Sequence, residues 1–274
     1  MTDRRLTPAN ARVAKRTMRS APAGVALTDG TPQQVLVEVA DLCAAPNGAR
    51  DRQLLKGESV LALEFHEGWA FVECTSGYVG YLRESELREP QSPTHFVCTA
   101  ATHGYEAEDF KGPTLSSLPF RARLTVSDER QKFFQTDAGF VPKAHLRPLD
   151  RPLTDPVAAA QLFFGVPYLW GGNSTRGVDC SGLVAEAFGA CGLLVPADSD
   201  LQREHFGSHL EIGTTPQRGD LMLWKGHVGL MVDEDVMLHA NAHHMACRYE
   251  PLNQAKLRIE AQGDGAMIAH KRVT

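Results

Sequence analysis

The stretch YLWGGNSTRGVDCSGLVAEAFGACG, residues 168–192, decides how the C-terminal part of the chain is read. An aromatic, glycine-rich run gives way at Asp179-Cys180-Ser181 to a helical pattern in which Leu183, Val184, Ala187 and Phe188 share one face and Gly192 is the stop. Cys180 therefore stands at a helix N-terminus, where free backbone N–H groups and the helix dipole favour a thiolate. Position alone leaves two readings, a nucleophile or a small core residue, with Cys191 on the same helix as the contrast.

Downstream, DLMLW, HVGLMV and VMLHAN read as strands, and His227 and His239 lie on two of them. Their spacing fits neighbouring strands of one hairpin. An imidazole at an inward strand position is costly unless it is hydrogen-bonded or functional. A reactive thiol needs a base, and that base needs a third group to orient it, so the two histidines fit these roles. Taken singly, each residue also fits a bland role, a buried structural cysteine or a satisfied core histidine. HANAHH adds His243 and His244 as metal-ligand competitors, although no familiar ligand spacing is present.

Upstream, DPVAAAQLFFG reads as a helix ended by Gly165, and RPLDRPLTDP, with three prolines, as a linker. Before it, VLVEV, SVLALEF, WAFVEC and YVGYL are short β-branched or aromatic runs broken by PNG, KGE, EGW and SGY, the grammar of a small barrel. HFVCTAA, PFRARLTVS, QKFFQT and AGFVPKAHL repeat it more faintly, which predicts an internal duplication.

The chain's 274 residues suffice for two or three cores. A net charge of −5 and a pI near 6.1 exclude a broad basic surface and, with it, a role dominated by nucleic-acid backbone. Six cysteines without close pairing or a CxxC motif fit a reduced, cytoplasmic chain rather than a disulfide framework. The basic N-terminal stretch has no apolar core of a signal peptide, and no run approaches the ~18 apolar residues of a membrane span. The expectation is a protein neither secreted nor membrane-bound.

PYLWGG, DCSGL, RGDLMLW, HVGLMV and MLHA follow one another as in the NlpC/P60 family of papain-like cysteine peptidases, which this chain resembles over residues 155–251. The upstream units resemble bacterial SH3 domains in their glycine-aromatic turn and closing hydrophobic positions. Together they resemble the subgroup of γ-D-glutamyl-L-diamino acid endopeptidases. The fold so implied is α+β, a papain-like NlpC/P60 catalytic domain (150–274) preceded by two small SH3-like β-barrels (33–90 and 91–149) and an N-terminal arm (1–32).

The resemblance also implies roles. Cys180 is the nucleophile, His227 its base and His239 the orienting residue, with no metal or organic cofactor. Tyr168 and the Cys180 N–H supply the oxyanion donors, and Trp170 walls the pocket. Asp179 and Ser181 bind substrate or shape the site, a plain helix cap being the alternative for Asp179. The glycines before Cys180 leave room for a substrate backbone. VPADSDLQ places Asp198 and Ser199 toward the substrate's free amine, with Ala197 where the family has arginine. Tyr78, or else Tyr81, reaches the same amine from the first SH3-like unit.

The implied partner is a murein-derived peptide, L-Ala-γ-D-Glu-diamino acid, trimmed during cell-wall recycling. Two alternatives are a tandem peptide- or glycan-binding module carrying an inactive peptidase-like domain, and an amidase or acyltransferase that uses the same thioester. Oligomeric state is not legible.

Overall fold

The computed structural model describes residues 3–273. The chain divides after Leu149 into two compact units.

The first unit is built of sheets. Seven strands form one antiparallel sheet in the order Arg50–Leu55, Val39–Cys43, Val79–Arg83, Trp69–Cys74, Ser59–His66, Thr31–Val35, Leu87–Arg88. VLVEV is not a strand: residues 36–38 are the turn between Thr31–Val35 and Val39–Cys43. The polar run RDRQLL, with little strand signature, is one, because Val39–Cys43 offers it a ladder, continuous from Val39 to Leu42 and shifted in register at Cys43. The N-terminal residues are tied to this sheet by Arg4–Asp51 at 2.8 Å and Arg12–Glu64 at 2.6 Å.

The closing elements of the two halves follow one order. Val79–Arg83, a 3₁₀ turn at Glu84–Glu86 and Leu87–Arg88 are matched by Gly139–Pro142, a 3₁₀ turn at Lys143–His145 and Leu146–Pro148. Each closing strand returns to the opening strand of its half, Leu87 beside Val35 and Leu146 beside Val97. The halves are joined by a cluster around Asp137, which receives Arg88 at 2.8 Å and Lys56 at 3.5 Å. A buried lysine needs such a counter-charge.

The second unit is a six-stranded antiparallel sheet with four helices, α1 (Pro156–Gln161), α2 (Cys180–Ala190), α3 (Ser199–His205) and α4 (Leu252–Ala261). The strand order is Ser208–Leu210, Ala269–Arg272, Leu221–Trp224, His227–Met231, Val236–Asn241, Ala246–Pro251. α2 contacts α1 and both histidine-bearing strands. All its residues except Gly189 are buried, so it is a central helix rather than one with a single apolar face. α4 packs Leu252, Ala255 and Ile259 on Met222, Trp224, Met231 and Met237.

Candidate active site

Alternation along the strands brings the polar groups together. Trp224 lies opposite His227, Met231 opposite Met237, and Met237 opposite Glu250. Cross-strand partners, and residues two or four apart on a strand, share a face. His227, His239 and Glu250 are thus set on the face that α4 covers. From α4, Arg258 reaches the same carboxylate.

The side chains form one chain of hydrogen bonds. His227 Nε2 lies 2.8 Å from His239 Nδ1, and His239 Nε2 lies 2.9 Å from Glu250 Oε2. Arg258 closes on Glu250 with a fork, Nε to Oε1 at 2.8 Å and Nη2 to Oε2 at 2.7 Å. Proton placement follows from charge. The Arg258 and His239 hydrogen bonds outweigh burial and hold the Glu250 carboxyl well below its ordinary range, so it is ionised and only accepts. His239 therefore donates from Nε2 and accepts at Nδ1, and His227 donates from Nε2. The Asn241 Nδ2 contact with His239 Nε2, at 3.2 Å, is then a meeting of two donors and subordinate to the carboxylate bond.

One ring nitrogen remains, Nδ1 of His227, with its lone pair available. Cys180 and His227 both line a cleft of about 360 Å³, to which Tyr168 and Arg258 also contribute. Cys180 is a free cysteine, and the residue is 7% exposed. Burial, aided by Asp179, pushes it up to about 12 against the pull of the Val228, Ser181 and Cys180 N–H groups. Burial, with His239 second, brings His227 down to about 3. Burial thus disfavours a lone thiolate and a lone imidazolium alike, and it outweighs the N–H groups at the helix start.

Asp179 is the N-cap of α2. It accepts from Gly182 N at 2.7 Å, Ser181 Oγ at 3.0 Å and Gly171 N at 2.8 Å. Three local donors occupy it, the bland alternative weighed above. Gly172, before Cys180, and Gly182, after it, both meet the chain's own backbone. A Cβ on Gly172 would sit 2.5 Å from Gly177 O, and one on Gly182 2.1 Å from Gly172 O. Close approach of backbones sets the loop against the helix start.

Tyr168 lines the cleft half-buried, its phenol pKa raised by burial and by Cys180 and Asp179 beside it. Trp170 is 69% exposed and does not line that cleft. Ser199 opens α3, and Asp198 stands at its N-cap position without capping it through the side chain. α3 is fastened by Gln202, whose amide donates to Ser181 O at 2.9 Å and Pro196 O at 3.0 Å. Ala197 is buried beside it. In the first unit Tyr78 is 2% exposed with the Arg52 guanidinium 5.8 Å over its ring. Tyr81 packs on Phe71 and accepts from Asn10 Nδ2 at 3.3 Å. The HANAHH histidines diverge, His239 to Glu250, His243 to Gln262 and His244 to Asn241.

Glu250 and Arg258 are not prominent in the sequence. Their one signal is an acidic residue in RYEP three positions beyond the short apolar pair Ala246-Cys247, too weak to read without the strand register.

The class of protein follows from fold and matches together. Residues 165–258 match the NlpC/P60 family and residues 42–87 match the bacterial dipeptidyl-peptidase Sh3 domain. The chain carries an NlpC/P60 domain, of the cysteine-peptidase type, preceded by a bacterial SH3 domain.

Among individual proteins, it is similar to the γ-D-glutamyl-L-lysine dipeptidyl-peptidase of Bacillus subtilis, at 29% identity over 69% of this chain and 71% of that protein. It is also similar to a probable endopeptidase of Haemophilus influenzae, at 40% identity over 28% of this chain and 52% of that one. The chain thus spans about half the length of the latter. A crystal structure of an NlpC/P60 family protein from Bacillus cereus superposes with a TM-score of 0.75 at 20% identity, covering 88% of this chain and 99% of that one, and so shares the fold. Among the described residues no helix is long and apolar enough to cross a membrane.

Proposed function

We propose that the protein is a cysteine endopeptidase that cleaves between γ-D-Glu and an L-diamino acid in murein peptides bearing a free N-terminal L-Ala, as in cytoplasmic cell-wall recycling. The observation that carries this reading is the 2.8 Å bond from His227 to His239 in the cleft that Cys180 lines. The name and coverage of the Bacillus subtilis relative support the substrate class.

In this mechanism the Cys180 proton passes to His227 Nδ1 and the thiolate attacks the γ-carbonyl. The Cys180 N–H and the Tyr168 hydroxyl hold the oxyanion. The imidazolium protonates the leaving amine of the diamino acid, which leaves a thioester. Water, deprotonated by His227, then releases the L-Ala-D-Glu product and restores the thiol. Each proton and electron pair is handled by Cys180, His227, substrate and water.

The remaining assignments belong to the same proposal. Asp179 and Ser181 shape the loop at the nucleophile. Asp198 and Ser199 face the cationic amine of L-Ala, Trp170 walls the substrate path, and the first unit comprises two SH3-like barrels (33–90 and 91–149). An acid paired with a desolvated ammonium gives the preference for a free amine.

The test uses L-Ala-γ-D-Glu-diaminopimelate and the corresponding lysine peptide with products identified by mass spectrometry. Release of L-Ala-D-Glu by the native enzyme, none by Cys180→Ala, and no cleavage of the N-acetylated peptide are expected. Equal cleavage of the acetylated peptide, or retained activity in Cys180→Ala, would overturn it.

A further inference from the structure

Behind the two histidines the hydrogen-bonded chain continues further than orientation of one imidazole requires. His239, fully enclosed, ends on a carboxylate, and that carboxylate is gripped from a separate element by the Nε and Nη2 edge of a guanidinium. An arginine fork on a carboxylate fixes its plane as well as its charge. Arg258 Nη1 is itself held by Gln262 Oε1 at 2.8 Å, so the fork is anchored on α4.

We propose that Glu250, clamped by Arg258, is a positioning residue that sets the proton arrangement of both imidazoles and stabilises the imidazolium formed when Cys180 gives up its proton. This rests on the peptidase reading of the site. With Glu250 ionised, His239 must keep its proton on Nε2, and His227 must then keep its own on Nε2. Only Nδ1 of His227 can take the thiol proton. When it does, no second proton moves. The new cation at His227 faces the thiolate on one side and, through neutral His239, the carboxylate on the other. The charged and titratable groups around this relay are Cys180 and Asp179 at the start of α2, Tyr168 before it, Lys225 beside His227, His243 and His244 in the turn after the His239 strand, Arg258 on α4 and Asp264 beyond it.

Burial explains why such a residue matters. Thiol and imidazole each resist ionising alone in the enclosed cleft, so reactive thiolate at neutral pH comes only from the ion pair. Its population is then independent of pH over a broad plateau, and Glu250 sets the height of that plateau. A residue that merely supported the fold would leave the height unchanged in any variant that folds.

The experiment measures alkylation of Cys180 by iodoacetamide across pH, site-resolved by mass spectrometry, in the native protein, Glu250→Gln and Glu250→Asp, with folding checked by circular dichroism. Glu250→Gln is expected to lower the plateau by roughly tenfold, the effect of about one pKa unit on the imidazolium. The alkaline rise, where the thiol ionises alone, should remain, and Glu250→Asp should restore part of the plateau. On the murein peptide the same variant should lose kcat by roughly 10²-fold with KM nearly unchanged.

Equal plateaus in folded native and Gln proteins overturn the proposal. Should Glu250→Gln fail to fold, Glu250→Asp decides: it keeps the charge but draws the carboxylate back by one methylene from the His239 Nε2 it meets at 2.9 Å, so a lowered plateau supports the relay and an equal one overturns it. Alkylation needs no substrate, so a Glu250-dependent plateau without any peptide cleavage would uphold the relay while rejecting the peptidase reading.

Discussion

At Tyr168 the phenol sits half-buried beside Cys180, and its raised pKa keeps it a donor at any working pH. In the proposed mechanism it strengthens its hydrogen bond as negative charge grows on the carbonyl oxygen. Tyr168→Phe is therefore expected to lower kcat by roughly 10²-fold with KM little altered, in steady-state assays on the murein peptide. A rise in KM with unchanged kcat would make Tyr168 a binding residue instead. Residues of this kind divide by legibility. Cys180, His227 and His239 stand out because each breaks an apolar pattern at a definite position. Glu250 and Arg258 do not, since His239 pairs with Arg248 in the ladder and meets Glu250 only diagonally. That diagonal depends on register, which no single strand specifies.

Among the elements, α2 depends on how closely its first turn can approach the preceding loop. Gly182 lies inside the helix, where alanine is ordinarily better by about 1 kcal/mol. Here a Cβ would fall 2.1 Å from the Gly172 carbonyl oxygen, and backbone on both sides cannot yield as a flexible side chain can. The clash outweighs the propensity gain. Gly182→Ala is expected to destabilise the protein by about 2 kcal/mol or more, read as a lowered midpoint in chemical denaturation. An unchanged or raised midpoint would show that the loop can move away. The turn at residues 36–38 and the Arg50–Leu55 strand show the converse limit. Composition misplaces both, because a strand is chosen by the partner that completes its ladder as much as by its own residues.

For the whole molecule, acid should act through the buried imidazoles. His227 and His239 both have folded-state pKa values below the ordinary 6.5, mainly through burial, and His227 lies at about 3. The unfolded chain therefore binds protons that the folded one refuses as pH falls below 6.5, and stability is lost progressively down to the folded-state pKa. Glu250, also depressed, adds a loss that begins below its unfolded value of 4.5. Thermal melts of the native protein should fall in midpoint from pH 6.5 toward pH 3, with a shallower slope in His227→Gln. Identical slopes would mean that His227 is protonated without unfolding.

The sequence by itself determined the local matters: a helix beginning at Cys180, strands carrying His227 and His239, the break near residue 150 and the repeated order of the first unit. These are legible because periodicity, caps and turn residues act over a few positions. Only the tertiary structure decided that Asp179 turns inward as a cap, that Gly172 and Gly182 meet the chain's own backbone, that burial raises the thiol, and that Glu250 and Arg258 stand behind His239. Each of those depends on strand register and on what surrounds a group once water is removed, and neither is a property of neighbouring residues along the chain.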